Sequence, residues 1–578
     1  MQRADRTQTF GFIREFATRW DTLALIVVLA VITFMAAASR GLLAPLSQLD
    51  ATPLSLAPSH LPEYAARTTL RMFIAMVLSF VFTLSYATWA AKSPRAGRVL
   101  VPLLDILQSV PILGFISITV VFFMALVPGR VLGAEFAAIF AIFTSQAWNM
   151  AFSFYQSLRT VPTELAEAAA SFHLTPWMRF WQLEVPFALP ALTWNMMMSM
   201  SGGWFFVVAS ESISVGNTHV ALPGIGSYIA LAIAERNLTA IGWAILTMAL
   251  VILVYDQLLF RPLISWVDRF RLEQESGAEP PSSWALTMFR RSLLIKGMKV
   301  IFYAALRWTS RAWPERSEPR LPKPARRARR GWIRDTLWLG LAFALGGLIA
   351  QKLGHALWSG TTLAEVRELA LLGLLTMLRV LVLIALASLL WVPVGVWIGL
   401  RPRVAQWAQP IAQFLAAFPA NLLFPLAVLG IVAFSLNPNL WLSPLMILGT
   451  QWYILFNVIA GASAMPAELR RAAQNLHVGG WLWWRRVALP GIMPYYVTGA
   501  ITASGGSWNA AIVAEVARWG GTEVRAQGLG AYIASATAAG DFHRIVLGIT
   551  TMCLFVVTIN RAFWRPLYYY AERHYRLS

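Results

Sequence analysis

The feature that most limits the fold is a series of apolar runs, most of them about 18 to 25 residues long and enough to cross a hydrocarbon core of about 30 Å as helices. Backbone polar groups find no water inside hydrocarbon, and runs this long and continuous therefore fit helices that satisfy themselves internally. They lie near residues 22–38, 68–90, 102–126, 134–156, 187–209 and 240–260, and again near 336–350, 370–399, 410–434, 442–463, 491–514 and 543–563. The expected fold class is all-α integral membrane, with twelve transmembrane helices in two sets of six. Composition points the same way: 58% apolar letters, 13% charged and a mean hydropathy of +0.59 over 578 residues exceed what a soluble surface tolerates.

The formal charge of +20 suits nucleic acid or, in a membrane chain, cytoplasmic loops rich in Lys and Arg. Its distribution favours the second reading and excludes nucleic acid as a partner. Lys92, Arg95, Arg98, Arg159 and Arg179 follow even-numbered spans, and Arg401, Arg403, Arg470, Arg471, Arg485, Arg486, Arg561 and Arg565 occupy matching places later. All fall on one side if both termini are cytoplasmic, and six spans per half then make the halves parallel repeats about an axis along the membrane normal. Ala36, Ala37, Ala38 and Ser39 imitate a signal-peptide cleavage site. The equivalent run at 336–350 is internal, so both first runs are expected to be retained helices. The single cysteine, Cys553, lies in an apolar run and cannot build an intramolecular disulfide framework.

These readings divide the chain into a cytoplasmic tail (1–21), a first half (22–260), a basic cytoplasmic linker (261–334), a second half (335–567) and a cytoplasmic C-terminal tail (568–578). Within the linker, apolar residues alternate with Arg290, Arg291, Lys296, Lys299 and Arg307 so as to leave one helical face apolar. Five cations forbid an ordinary span, and an amphipathic helix on anionic headgroups is expected. The alternative is a simple tether.

A motif of another kind occurs twice. Residues 162–190 read PTELAEAAASFHLTPWMRFWQLEVPFALP and residues 466–494 read PAELRRAAQNLHVGGWLWWRRVALPGIMP. Pro162/Pro466, Glu164/Glu468, Ala168/Ala472, Ala169/Ala473, His173/His477, Trp177/Trp481, Pro186/Pro490 and Pro190/Pro494 share one constant spacing. The charge distribution places both copies in the cytoplasm, between the fourth and fifth span of each half. Pro162 and Pro466 suit a first helical turn, Glu164 and Glu468 suit a helix N-terminus, and the Ala pair makes a slim face that another protein can approach.

This duplicated motif resembles the cytoplasmic loop of permease subunits of ATP-binding cassette (ABC) importers of the type I fold. That loop reads Glu-Ala-Ala, three residues, Gly, nine residues, Ile-x-Leu-Pro. Here Glu167-Ala168-Ala169 is followed by His173 in place of Gly, then Leu183, Val185 and Pro186; the second copy has Arg471-Ala472-Ala473, His477, Val487, Leu489 and Pro490. His is among the residues enriched at positive φ, so the turn can survive the exchange. More of the chain resembles the nitrate, sulfonate and bicarbonate (taurine-type) group: Thr68/Arg71 and Thr376/Arg379, Trp204 with Glu211, Trp508 with Glu515, and Gly-x-Gly-x-Tyr-Ile after each. The resemblance covers both halves and omits the linker and N-terminal tail.

The resemblance implies that the two loops are short helices seated on two ATPase subunits, identical or different, which bind ATP and Mg. An external substrate-binding protein would deliver a small solute, with anions the group's usual cargo, at a bacterial inner membrane. No phosphate-binding loop of the G-x-x-x-x-G-K-[ST] kind occurs in the chain, so hydrolysis is expected on a partner and no catalytic residue here.

Polar groups within spans are costly unless they face protein or a water-filled path. Arg71, Gln108, Gln146, Asn149, Asn195, Glu211, Arg379, Gln451, Asn457, Asn509 and Glu515 are the candidate path residues. Arg71 and Arg379 either attract an anion near the outer mouth or pair with Glu211 and Glu515. Trp204 and Trp508 either gate the path or anchor at the lipid interface, and Pro111 and Pro419 are expected to kink the third span. No His, Asp or Glu cluster has metal spacing. A second functional class, a major-facilitator secondary transporter, also has two parallel six-helix halves. Its loop signature after the second span is absent from AAKSPRAGRVL at 90–100.

Overall fold

The computed structural model describes residues 54–215, 218–270, 283–291 and 361–575, with scattered residues between 22 and 46 and between 340 and 354. The first span expected in each half, the tail 1–21 and most of the basic linker lie outside the described residues. The chain falls into two compact units, one within 1–40, 153–197 and 253–329, the other within 41–152, 198–252 and 330–578.

In the larger unit, helix α1 (Leu61–Lys92) starts on Pro62 with Glu63 in its first turn and ends on Lys92, each favourable to the helix dipole. Ser93 stops it and caps α2 (Pro94–Ser109), accepting from the Ala96 N–H at 3.3 Å with Pro94 at the first helical position. The third span is broken rather than kinked. Pro111 forces Val110 into an extended conformation (ψ 127°), and a separate helix α3 (Ile112–Leu126) follows. In the second half Pro419 does the same to Phe418 (ψ 125°), and the pieces Pro402–Ala417 and Ala420–Ala433 meet at 73°.

The fourth span of the first half is one helix, α4 (Val131–Arg159). Its counterpart is in pieces, Pro438–Trp441, Ser443–Leu448 and Gln451–Ser463, with a 45° bend. Five described helices are long and apolar enough to cross a membrane, or seven if each bent pair is one span.

The fifth spans, helices 185–211 and 489–514, are not among those five, although they are long enough. They are rich in small residues, including Gly202, Gly203, Gly505 and Gly506, and the second is largely buried along its length. A Cβ on Gly203 would strike Gln146 and Met72, and one on Gly499 would strike the Tyr453 carbonyl and Asn457. A helix enclosed by other helices needs close approach more than apolar surface.

One element departs from the all-α expectation. Each fifth helix runs into a two-stranded antiparallel hairpin, Ser212–Val215 with Thr218–Ala221 and Val516–Trp519 with Thr522–Arg525. Short helices, Ile225–Ala234 and Leu529–Ala539, follow. The strands are only four residues each, too short for a period-2 pattern to stand out between apolar runs.

In the smaller unit, the described beginning of the amphipathic linker segment is the helix Trp284–Arg291. Ala285, Leu286 and Met288 are buried there while Trp284, Arg290 and Arg291 are exposed. Its apolar face lies against helix Arg261–Val267, so protein covers at least this first part.

Candidate functional site: two buried latches and two loop helices

Arg71 on α1 is 2% exposed, and its guanidinium is fully engaged. Nε and Nη2 form a fork on Glu135 of α4 at 2.6 and 2.7 Å, Nη1 reaches Glu211 at 2.6 Å, and Nη2 also donates to the Pro223 carbonyl at 3.0 Å. Glu211 ends the fifth helix and collects further donors: the Thr68 hydroxyl at 2.7 Å and the Gly226 N–H at 2.6 Å. Thr68 in turn accepts from the Ile225 N–H at 3.0 Å. Glu211 thus sits at the start of helix 225–234, where free N–H groups and the dipole favour an anion. Gly224 is extended, and glycine is needed there for space: a Cβ would fall on the Glu211 carboxylate.

The second half rebuilds this arrangement with looser parts. Glu515 accepts from Thr376 at 2.8 Å, Arg379 at 3.1 Å and the Ala531 N–H at 3.0 Å, while Thr376 accepts from the Leu529 N–H at 3.0 Å. Gly528 repeats Gly224, its Cβ position occupied by the Glu515 carboxylate. The third partner differs. Asn439 stands as far before Pro466 as Glu135 does before Pro162, and its Oδ1 takes Arg379 Nη2 at 3.1 Å and the Gln527 N–H at 2.7 Å. Arg379 retains 13% side-chain exposure.

The duplicated loop folds alike in both copies. Pro162 and Pro466 precede nine-residue helices, Thr163–Ser171 and Ala467–Asn475, and their carbonyls accept the N–H groups of Ala166 and Arg470. His173 (φ 51°) and His477 (φ 53°) end them in the left-handed region. Leu174 N–H bonds to the Ala169 carbonyl and His173 N–H to that of Ala170, with Val478 to Ala473 and His477 to Gln474 in the second copy. These are Schellman stops, in which His supplies the conformation usually given by Gly. Short helices, Pro176–Arg179 and Gly480–Trp483, then lead through π-turns at Phe180–Glu184 and Trp484–Ala488 into the fifth spans.

The Ala pair divides between two faces. Ala169 and Ala473 are buried at 6% and 5%, while Ala168 and Ala472 are exposed beside Glu164, Glu167 and Glu468, Arg471. Sequence reading missed the most prominent outward groups, Phe172 and Leu476, which are 79% and 75% exposed at equivalent positions. The second copy adds exposed Trp481, Arg485 and Arg486.

Of the candidate path residues, Arg71, Glu211, Arg379 and Glu515 gather in the two latches; the pairing alternative, not the free anion attractor, is what the geometry contains. Gln108 donates to Asn149 at 2.8 Å, and buried Gln146 faces Met72 Sδ at 3.2 Å. Asn195 bonds Ser153 at 2.9 Å, Gln451 accepts from Trp391 Nε1 at 2.9 Å, and Asn457 donates to the Tyr453 carbonyl. Asn509 accepts the Ile112 N–H exposed by the Pro111 break, joining first-half and second-half sequence. Asn421 Nδ2 on the Phe205 carbonyl and Ser201 on that of Ala416 do so again. Trp204 and Trp508 are both 1% exposed, so neither is a lipid-interface anchor. Glu135 and Asn439 were not foreseen, although their distance to the loop motif is the same in both halves. Among the described residues, no group of three His, Cys, Asp or Glu side chains could hold a metal ion.

Long apolar helices, polar groups that pair inside the bundle and two similarly built loop helices define a multi-pass membrane permease. The chain belongs to the binding-protein-dependent transport system inner membrane component family, whose model matches residues 81–261 and again 391–574. Two matches in one chain mark a fused two-half permease. The matched family also decides against the major-facilitator alternative, and its relatives are transport components rather than enzymes. The chain is 30% identical over 132 residues to the bicarbonate transport system permease protein CmpB of Synechococcus elongatus, covering 23% of this chain and 46% of that one. It is 29% identical over 164 residues to the glycine betaine/proline betaine transport system permease protein ProW of Escherichia coli (28% and 44%). To the nitrate import permease protein NrtB of Leptolyngbya laminosa it is 28% identical over 183 residues (32% and 62%). The chain spans about half the length of the first of these relatives.

Proposed function

We propose that this chain is a fused two-half permease of an ATP-driven importer, with twelve transmembrane helices and both termini in the cytoplasm of a bacterial inner membrane. Its cargo is a small solute of the kind named for its relatives, bicarbonate and nitrate before betaines. The observation that carries the coupling assignment is the pair of loop helices. A proline start, nine helical residues, a left-handed His stop and an outward Phe172 or Leu476 recur in register, and the recurrence of an exposed apolar side chain at the same loop position supports a protein contact there. Two ATPase subunits, carrying ATP and Mg, seat on these helices, and a binding protein delivers solute from the far side. The polar residues Gln108, Gln146, Asn149, Asn195, Gln451, Asn457 and Asn509 lie beside the path.

The test is solute uptake by the chain reconstituted with its ATPase subunits in liposomes. Ala168→Trp together with Ala472→Trp, on the exposed faces, should remove ATP-driven uptake while the permease still inserts and elutes as a folded monomer. Undiminished uptake in that double variant would refute the coupling role.

A further inference from the structure

The two latches hold the same device, a hairpin and the short helix behind it, but not with the same grip. In the first half a guanidinium closes on two carboxylates, and all three groups are buried to 2% or less. Glu135 rises from an unbroken helix of 29 residues. In the second half one carboxylate is replaced by the neutral Asn439, the arginine contacts lengthen to 3.1 Å, and Arg379 reaches partial exposure. Asn439 is carried on a four-residue helix within a span that is broken and bent by 45°.

Short, charge-assisted, bidentate contacts in a dry site hold far more firmly than a monodentate pair and an amide near solvent. We propose that helix Leu529–Ala539 and its hairpin are the element that opens in this permease while helix Ile225–Ala234 stays fixed, and that Glu135 and Asn439 set the difference. Both are positioning residues: they act through Arg71 and Arg379. The permease reading is needed only to name the motion as gating, since opening can be measured on the chain alone.

The experiment is amide hydrogen exchange on the full chain in lipid nanodiscs. In the unsubstituted protein, amides at 529–532 should exchange at least tenfold faster than those at 225–228. Asn439→Glu, which supplies the missing carboxylate, should slow 529–532 to within threefold of the first half. Glu135→Gln, which keeps size and drops charge, should speed 225–228 tenfold and leave 529–532 unchanged. A purely structural destabilisation would speed both halves together. Equal rates in the unsubstituted protein overturn the proposal, as does an unchanged 529–532 in folded Asn439→Glu, or an effect of Glu135→Gln spread over both halves. If Asn439→Glu does not fold, Glu135→Gln decides alone.

Discussion

Replacing Arg71 by methionine keeps an unbranched apolar stem, shorter than arginine, and removes every charge-assisted contact of the first latch. Glu135 then loses its fork at 2.6 and 2.7 Å, and Glu211 loses its 2.6 Å contact while keeping Thr68 and Gly226. Breaking a buried pair by removing one partner costs about 3–5 kcal/mol, because the charge left behind is uncompensated. Two carboxylates are left here, which places Arg71→Met at the upper end, about 5 kcal/mol. The matching change Arg379→Met leaves one carboxylate, Glu515, and the neutral Asn439 each short of one donor, with Thr376 and the Ala531 N–H still on Glu515 and the Gln527 N–H still on Asn439. A lost hydrogen bond to a charged group costs about 1.5–3 kcal/mol, and partial exposure lowers that toward 1–2 kcal/mol. The assay is reversible SDS-induced unfolding in mixed micelles, with Arg71→Met/Glu135→Gln as the double variant. Neutralising the stranded carboxylate should restore at least 1 kcal/mol, a coupling typical of residues in direct contact. Equal costs for the two arginine variants, or no recovery in the double variant, would refute the picture of unequal buried latches.

Other expectations are as direct. Gly224→Ala and Gly528→Ala each place a methyl on a carboxylate that cannot retreat, so each should lower the midpoint of thermal unfolding in detergent, Gly224→Ala more than Gly528→Ala. His173→Gly and His477→Gly should leave loop stability unchanged or improved, because glycine adopts left-handed φ freely. The corresponding valine variants should lose about 1–2 kcal/mol locally and show faster proteolysis at the loop. On the second hairpin, hydrogen bonding from Arg525, aided by the charge of Arg518, holds the Glu523 carboxylate below the usual range. A depressed folded pKa contributes stability above the ordinary carboxylate value, about 4.3, and loses it as pH falls through the lower folded value. Strands 516–525 should therefore lose protection against amide exchange, measured relative to the intrinsic rate, below about pH 4, and Glu523→Gln should remove that loss.

The helices were legible because length and apolarity are local properties: the expected runs that lie among the described residues are helical for most of their length, and five helices, or seven with the bent pairs, are long and apolar enough to cross a membrane. The breaks were legible as proline positions but not as breaks, since a kink and a separation share one local signal and differ in what the freed N–H finds; here that partner is Asn509, nearly four hundred positions away. The fifth spans hide their role in a hydropathy plot, because a helix wrapped by protein trades apolar surface for glycine. Arg71 and Glu211 could be suspected as costly polar groups within spans. Glu135, at the very beginning of the expected run 134–156, is open to the same suspicion but is easily passed over, because an acid near a helix start is unremarkable. The hairpins and π-turns were missed for one reason: four or five residues carry too little periodicity to be read.

A fused permease can do something that a pair of identical subunits cannot. Two copies of one gene product place the same residue at both positions of every pseudo-symmetric pair, so a latch that opens in one half must open in the other. Here each half has its own sequence, and two of the differences fall on contacts or on the loop surface. Glu135 against Asn439 changes the grip on the device behind the fifth helix, while Glu167 against Arg471 reverses charge on an exposed loop face whose helix starts and stops alike in both copies. The first difference acts on hydrogen bonds inside the chain, the second on a partner outside it. If both halves served the same step identically, charge reversal at Glu167 and at Arg471 would weaken ATPase binding equally. Unequal losses, measured with matched substitutions of the two loops, are expected instead: lysine at both positions reverses charge only at 167 and should weaken binding through the first loop, while glutamate at both reverses it only at 471 and should weaken binding through the second.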